Sequence, residues 1–209
     1  MNRIPGFFRR VFAAGLLVSA HTHACAQDLM QGKQRSDREI ALEVTVEAAP
    51  ACVYRLWTTP AGIRRFFAPK AEIGDEPGEP YTIYFAPDKD PLARSHGTAG
   101  ARILAMNPGH SLAFEWITFA ADADLGVNGP PVAPRELRDV RPLPTWVELT
   151  FEPVGDGNTT RVLLRHYGFG DGPLWEESHR WFTRAWAGVL NQLQSELART
   201  RRMPRWARV

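Results

Sequence analysis

The sequence predicts an α+β fold in which antiparallel strands are segregated from one long C-terminal helix. Three observations carry this. From Pro173 to about Leu197, the residues Trp175, Phe182, Ala185, Trp186, Val189, Leu193 and Leu197 recur at three- and four-residue spacing, which lines one side of a helix with apolar groups. Upstream, several short segments alternate apolar and polar residues in the two-residue rhythm of half-buried strands. The strand segments form a run, interrupted early by two short helical pieces, and that order belongs to a sheet layer with a helix laid on it.

The first 26 residues are set apart from the fold. Arg3, Arg9 and Arg10 make a positive front, Val11 to Ala20 is a short apolar run, and Ala24-Cys25-Ala26 offers small residues for cleavage. The run falls short of the roughly 20 residues that a membrane span needs. This reads as a secretory signal over residues 1–26, with the mature chain starting near Gln27 and a periplasmic or secreted location. An uncleaved anchor is the alternative. A lipoprotein at Cys25 fits less well, because Thr22 and His23 stand where an aliphatic residue is expected.

Loss of three arginines takes the formal charge from +2 to −1. No basic field for nucleic acid then remains outside the terminal RTRRMPRWAR tail, which reads as a solvated helix end. Neither a nucleic-acid partner nor stable membrane insertion after cleavage is expected. Cys52 is the one cysteine beyond the signal, so no internal disulfide is available. Its apolar neighbours read as a buried, inert thiol.

In order along the chain, 27–37 is a polar leader. Glu39 to Glu47 is a strand with Ile40, Leu42, Val44 and Val46 on one face. Pro50 to Trp57 is a short helix with Val53, Leu56 and Trp57 inward; Pro60 to Phe67 is a second, with Thr59 as N-cap. Lys70 to Ile73, Tyr81 to Phe85, Ala101 to Met106 and Ser111 to Phe119 follow as strands. Residues 120–144 hold five prolines, four acids and three arginines without periodicity, an irregular loop that is either a lid or a decorative insertion. Trp146 to Glu152 and Thr160 to Tyr167 form a hairpin across GDGN. Pro173 then suits the first helical turn, Glu176 and Glu177 its positive end, and Arg199, Arg201 and Arg202 its negative end. A rod of ~24 residues is about 36 Å long and needs a broad surface to lie on.

The segment VYRLWTTPAGIRRFFAP resembles the helix pair of START-like (SRPBCC) domains, and more narrowly the heat-shock-protein ATPase activator homologue type. Further matching stretches are GEPYTIYF, RILAMNPGHSLAFEW, WVELTFEPVGDGNTTRVLLRHYGFGDG and WEESHRWFTRAWAGVLNQL, which together cover about Glu39 to Leu197. The resemblance implies a helix-grip fold: a curved antiparallel sheet with two short helices, wrapped around the C-terminal helix with a cavity between them. It also implies binding of lipids, hydrophobic small molecules or partner proteins, with a minority of cyclases and dehydratases, and it brings no shared catalytic motif. The signal and the enlarged 120–144 loop depart from the usual member. Export also separates this chain from a cytosolic chaperone ATPase.

Of the histidines beyond the signal, His166 alternates with Val162 and Leu164 and so points inward, and His179 sits about 60° around the helix from Phe182 at the edge of its apolar stripe. Such a pair can work as acid and base, or simply as hydrogen-bonded core residues. No metal is expected: Glu176 and His179 make one E-x-x-H, but a di-iron bundle needs several such helices. No phosphate loop, nucleophile elbow or Cys–His arrangement appears, and no cofactor is implied. Trp57, Trp116, Trp175 and Trp186 fall on inner faces, and Trp146 is ambiguous. Aromatic walls with few polar groups suit either a small-molecule pocket or a filled core.

The leading expectation is an exported helix-grip domain that binds an apolar or amphipathic small molecule, with Trp116, His166, His179, Phe182 and Trp186 as pocket residues and the 120–144 loop as gate. The alternatives are an enzyme using His166 or His179 as base, or an envelope protein-interaction module with an unidentified partner.

Overall fold

The computed structural model describes residues 38–94, 96–116 and 145–202. The expected signal and leader, residues 117–119 at the end of the expected Ser111–Phe119 strand, the 120–144 loop and the tail beyond Arg202 lie outside the described residues.

Strand β1 (Ile40–Val46) opens the fold, followed by helices α1 (Pro50–Thr58) and α2 (Pro60–Phe66). Strands β2 (Lys70–Ile73), β3 (Tyr81–Tyr84), β4 (Ile103–Asn107), β5 (Ser111–Trp116), β6 (Thr145–Val154) and β7 (Thr159–Tyr167) come next, and helix α3 (Pro173–Arg202) closes the described chain. Five strands pair antiparallel in the order β1-β7-β6-β5-β4, while β2 and β3 form a second pair. Backbone bonds join the two: Tyr81 N–H to Ala101 C=O at 2.8 Å, Ile103 N–H to Glu79 C=O at 2.9 Å and Gly78 N–H to Ile103 C=O at 2.8 Å. Ala101 is therefore spent on this junction, and β4 starts at Ile103 rather than at the expected Ala101. A register shift between Ile103 and Ala105 lies at the same place, the kind of irregularity that bends a strand.

The alternation read from the sequence sets which face is buried. Leu112, Phe114 and Trp116 on β5, Val147, Leu149 and Phe151 on β6, and Val162, Leu164 and His166 on β7 are all 4 % exposed or less. The β6–β7 hairpin turns at Gly155 and Gly157, which adopt φ of 61° and 80°, and the Asp156 carboxylate accepts from the Asn158 backbone and side-chain N–H groups at 3.0 Å each.

Helices α1 and α2 form a tight corner. The Thr59 side chain accepts from Gly62 N–H at 3.0 Å and donates to Arg55 C=O at 2.7 Å, so one hydroxyl both caps α2 and ends α1. Tyr81 donates its phenolic O–H to Trp57 C=O at 3.0 Å, satisfying a carbonyl at the end of α1, and stacks on Phe114 with ring centroids 4.0 Å apart. Burial pushes that phenol well above its ordinary pKa. Val53, Tyr54, Leu56 and Trp57 face the core; Cys52, expected to be buried, is exposed. It sits about 120° around α1 from the centre of that inner face, so local apolar composition misled where helical phase decides.

Helix α3 runs five residues past the expected Leu197. Glu196, only 6 % exposed, explains the extension: it pairs with Arg65 of α2 at 2.7 Å and Arg199 at 2.8 Å, and Arg65 also donates to Thr200 at 2.6 Å. Burial opposes ionisation, yet the hydrogen bonds from Arg199 and Arg65 hold this carboxyl below its ordinary value. Leu190 joins the buried stripe with Trp175, Phe182, Trp186 and Leu193 as expected, while Ala185, Val189 and Leu197, also expected there, are only partly buried.

The α1–α2 corner generates a direct test. A Cβ at Gly62 would lie 2.5 Å from Leu56 Cα and from Leu56 O, backbone atoms that cannot step aside. Gly62→Ala is expected to lower unfolding free energy by about 1–3 kcal/mol, read by chemical denaturation. A neutral effect would mean that the corner is looser than described.

Candidate functional site

The inner ends of β5, β6 and β7 meet the first half of α3. His166, fully buried on β7, stands at the junction. Trp186 of α3 donates its indole N–H to His166 Nδ1 at 3.0 Å, which makes Nδ1 the acceptor and places the proton on Nε2. Nε2 lies 2.9 Å from Thr145 Oγ1, and Thr145 in turn donates to Trp116 C=O at 2.7 Å. The relay runs from α3 through β7 and β6 to β5. Both imidazole nitrogens are engaged, so this geometry gives His166 an organising role. Burial first, and the nearby His179 second, push its pKa down to about 3.

Around the relay the aromatic rings are continuous. Trp116 and Trp186 approach at 4.8 Å between centroids, Trp116 and Phe182 meet edge-on at 6.4 Å, and His166 and Phe182 at 5.3 Å. His179 joins through Phe169, 5.0 Å away, and its Nε2 bonds Glu39 C=O at 3.2 Å, just before β1. The structure therefore brings Trp116, His166, Phe182 and Trp186 into direct contact and sets His179 at the margin. Phe169 itself packs on His166 at 4.7 Å, and the Trp175 indole lies over Gly170, where a Cβ would come within 2.4 Å of Nε1.

Three further residues matter that the sequence reading did not single out. Phe67, just after α2, contacts both Trp116 at 6.1 Å and Trp186 at 5.7 Å. Phe85, just past β3, contacts Phe67 at 5.8 Å and Trp116 at 6.4 Å, yet is 44 % exposed. Their signal was present in the aromatic ends of RFFAP and YTIYF, but only the sheet junction brings them together. Thr145 could not have been found, since it acts across 21 positions of chain. Trp146 resolves as an outer-face residue stacked on Tyr167 at 5.5 Å.

An open groove of about 420 Å³ lies elsewhere, between α2 and the last half of α3, lined by Arg65, Phe66, Asn191, Gln192, Ser195, Glu196 and Arg199. Its charged groups are engaged in the Glu196 pairing, and its lining shares no residue with the aromatic wall.

The relay has a sign-definite pH consequence. In the unfolded chain the imidazole takes up a proton near pH 6.5, whereas folded His166 resists it down to about pH 3. Stability therefore falls as pH falls through that window, by on the order of 1 kcal/mol per pH unit. Denaturant unfolding between pH 7 and 4.5 should show the slope, and His166→Gln should flatten it. Trp186→Phe, which strands Nδ1, is expected to cost about 1–3 kcal/mol at pH 7.

The family model for activator of Hsp90 ATPase homolog 1-like protein matches residues 47–198. A comparison with curated proteins finds no match. Among solved structures, a protein from Mesorhizobium loti aligns over 78% of this chain and 98% of its own length at 19% identity, with a TM-score of 0.54. A protein from Arthrobacter aurescens aligns over 77% and 86% at 17% identity and 0.55. The Aha1 dimer from Colwellia psychrerythraea aligns over 77% and 96% at 17% identity and 0.52. At such identities these likenesses speak for the fold, which is the helix-grip arrangement that the sequence led us to expect. The family match reaches from the end of β1 to the last turns of α3, and the chain belongs to the activator of Hsp90 ATPase homolog 1-like family within the START-like proteins.

Proposed function

We propose that this chain is an exported ligand-binding domain that holds an apolar or amphipathic small molecule between the sheet and α3. The observation that carries the reading is the aromatic wall. It runs from Phe85, 44 % exposed, through Phe67 and Trp116 to Trp186, 1 % exposed, so a water-facing ring is in continuous contact with the interior. Largely apolar, aromatic surfaces with a few fixed polar groups are what small-molecule sites are made of. Residues Trp116, Phe182 and Trp186 supply the contact area, His166 holds sheet and helix in register, and His179 sits at the rim. Export rests on the Arg3/Arg9/Arg10, apolar-run and Ala24-Cys25-Ala26 pattern.

The acid–base alternative finds less support at His166, because a general base needs a free ring nitrogen and both of its nitrogens are engaged; at His179 one nitrogen, Nε2, is bonded, to Glu39 C=O.

Native mass spectrometry of the mature protein isolated from its own host is expected to show a co-purifying apolar compound. In parallel, N-phenyl-1-naphthylamine should bind the folded protein with increased fluorescence. Phe85→Ala, a change at an exposed ring, should weaken that binding about 5-fold while leaving the thermal transition in place. Ligand-free spectra together with no saturable probe binding would overturn the proposal.

A further inference from the structure

Resting on the ligand-binding reading above, we propose that the polar anchor of the site is the indole N–H of Trp116, and that the occupant presents an uncharged acceptor oxygen, of the carbonyl or ether class, to it.

The argument is a count of polar atoms along the wall. Trp186 Nε1, both nitrogens of His166 and Thr145 Oγ1 are all consumed by one another and by Trp116 C=O. Among the described residues Trp116 Nε1 has no partner, although the residue is only 4 % exposed. An indole nitrogen can only donate, so nothing but an acceptor satisfies it, and an unpaired buried donor is unfavourable enough to be rare. Ser178 adds a second unpartnered atom. It is fully buried one turn before Phe182, and Phe182 meets Trp116 edge-on.

Trp57 Nε1 is also unpartnered, but its ring is fully buried and closed in by Phe66 at 5.0 Å and Phe67 at 5.6 Å. Trp116 differs because it directly touches exposed Phe85. That contact sets Trp116 directly beside a water-facing ring, whereas Trp57 reaches the same ring only through Phe67. The class of oxygen follows from charge. Among the described residues the wall of Phe67, Phe85, Trp116, Phe182 and Trp186 is made of uncharged rings, so a carboxylate or phosphate would meet no counter-charge from them, whereas a neutral carbonyl needs only the donor. Among the expected pocket residues a tryptophan, rather than His166 or His179, then orients the occupant.

The test uses a matched pair of probes, 1-tetralone and its deoxygenated analogue tetralin, on the ¹⁵N-labelled mature chain. The expected result is that 1-tetralone binds about tenfold tighter than tetralin and moves the Trp116 indole N–H signal downfield, while tetralin does not. Trp116→Phe should bind both equally, and Trp57→Phe should keep the preference. Should Trp116→Phe fail to fold, the wild-type indole signal and the Trp57→Phe variant decide the matter. Equal affinities with an unmoved Trp116 signal would overturn the acceptor assignment while leaving the pocket standing. The absence of saturable binding by either probe to folded protein would overturn both.

Discussion

The hydrogen-bond relay Trp186–His166–Thr145–Trp116 is the constraint on which the interior depends. It links α3 to three neighbouring strands through groups that are all 4 % exposed or less, and each polar atom in it has one available role. The indole can only donate, so the imidazole must accept at Nδ1 and carry its proton on Nε2. Thr145 must then turn its own proton toward the β5 carbonyl. A buried network with a unique proton arrangement is sensitive to any sliding of the helix along the sheet, because a shift of one turn would strand several polar groups at once. Apolar packing holds α3 down, and the relay sets where along the sheet it rests.

The two ends of α3 are secured differently. Near its start, His179 caps a carbonyl of Glu39 next to β1, and Gln194 further along caps that of Thr45 at 3.1 Å. Helix side chains thus cover backbone acceptors on the otherwise unpaired edge of β1, which blunts an edge that would invite another strand. Near its end, Glu196 is gripped by arginines from α2 and from its own next turn. The helix is therefore fixed by polar contacts at its margins and by aromatic contacts along its middle. The aromatic stretch is also where the wall opens toward Phe85.

Membership of the activator-homologue family fits this architecture and leaves the chemistry to local detail. Solved relatives at 16–19% identity share the frame. Within that frame the polar atoms are used up unevenly. His166, the residue that looks most chemical in the sequence, is fully committed to architecture, whereas Trp116, another of the expected pocket residues, keeps an unanswered donor among the described residues.

Much of the fold was legible before any coordinates. Period-two alternation placed the strand ends that fall within the described residues to one or two positions, Thr59-Pro60 marked the helix corner, GDGN marked the hairpin, and the stripe from Trp175 to Leu193 identified the gripped helix. Those features depend on residues close together in the chain, where spacing alone decides which face a side chain takes. The exposure of Cys52 depended on helical phase relative to a surface that the local sequence does not show. The extension of α3 to Arg202 came from an arginine 131 positions away from Glu196. The union of Phe67 and Phe85 with Trp116 arose from the junction between β3 and β4. Sequence spacing determined which residues face inward; only tertiary structure decided which of their polar atoms are answered, because partners in a hydrogen bond are chosen by distance in space and directionality, and neither is written in the separation along the chain.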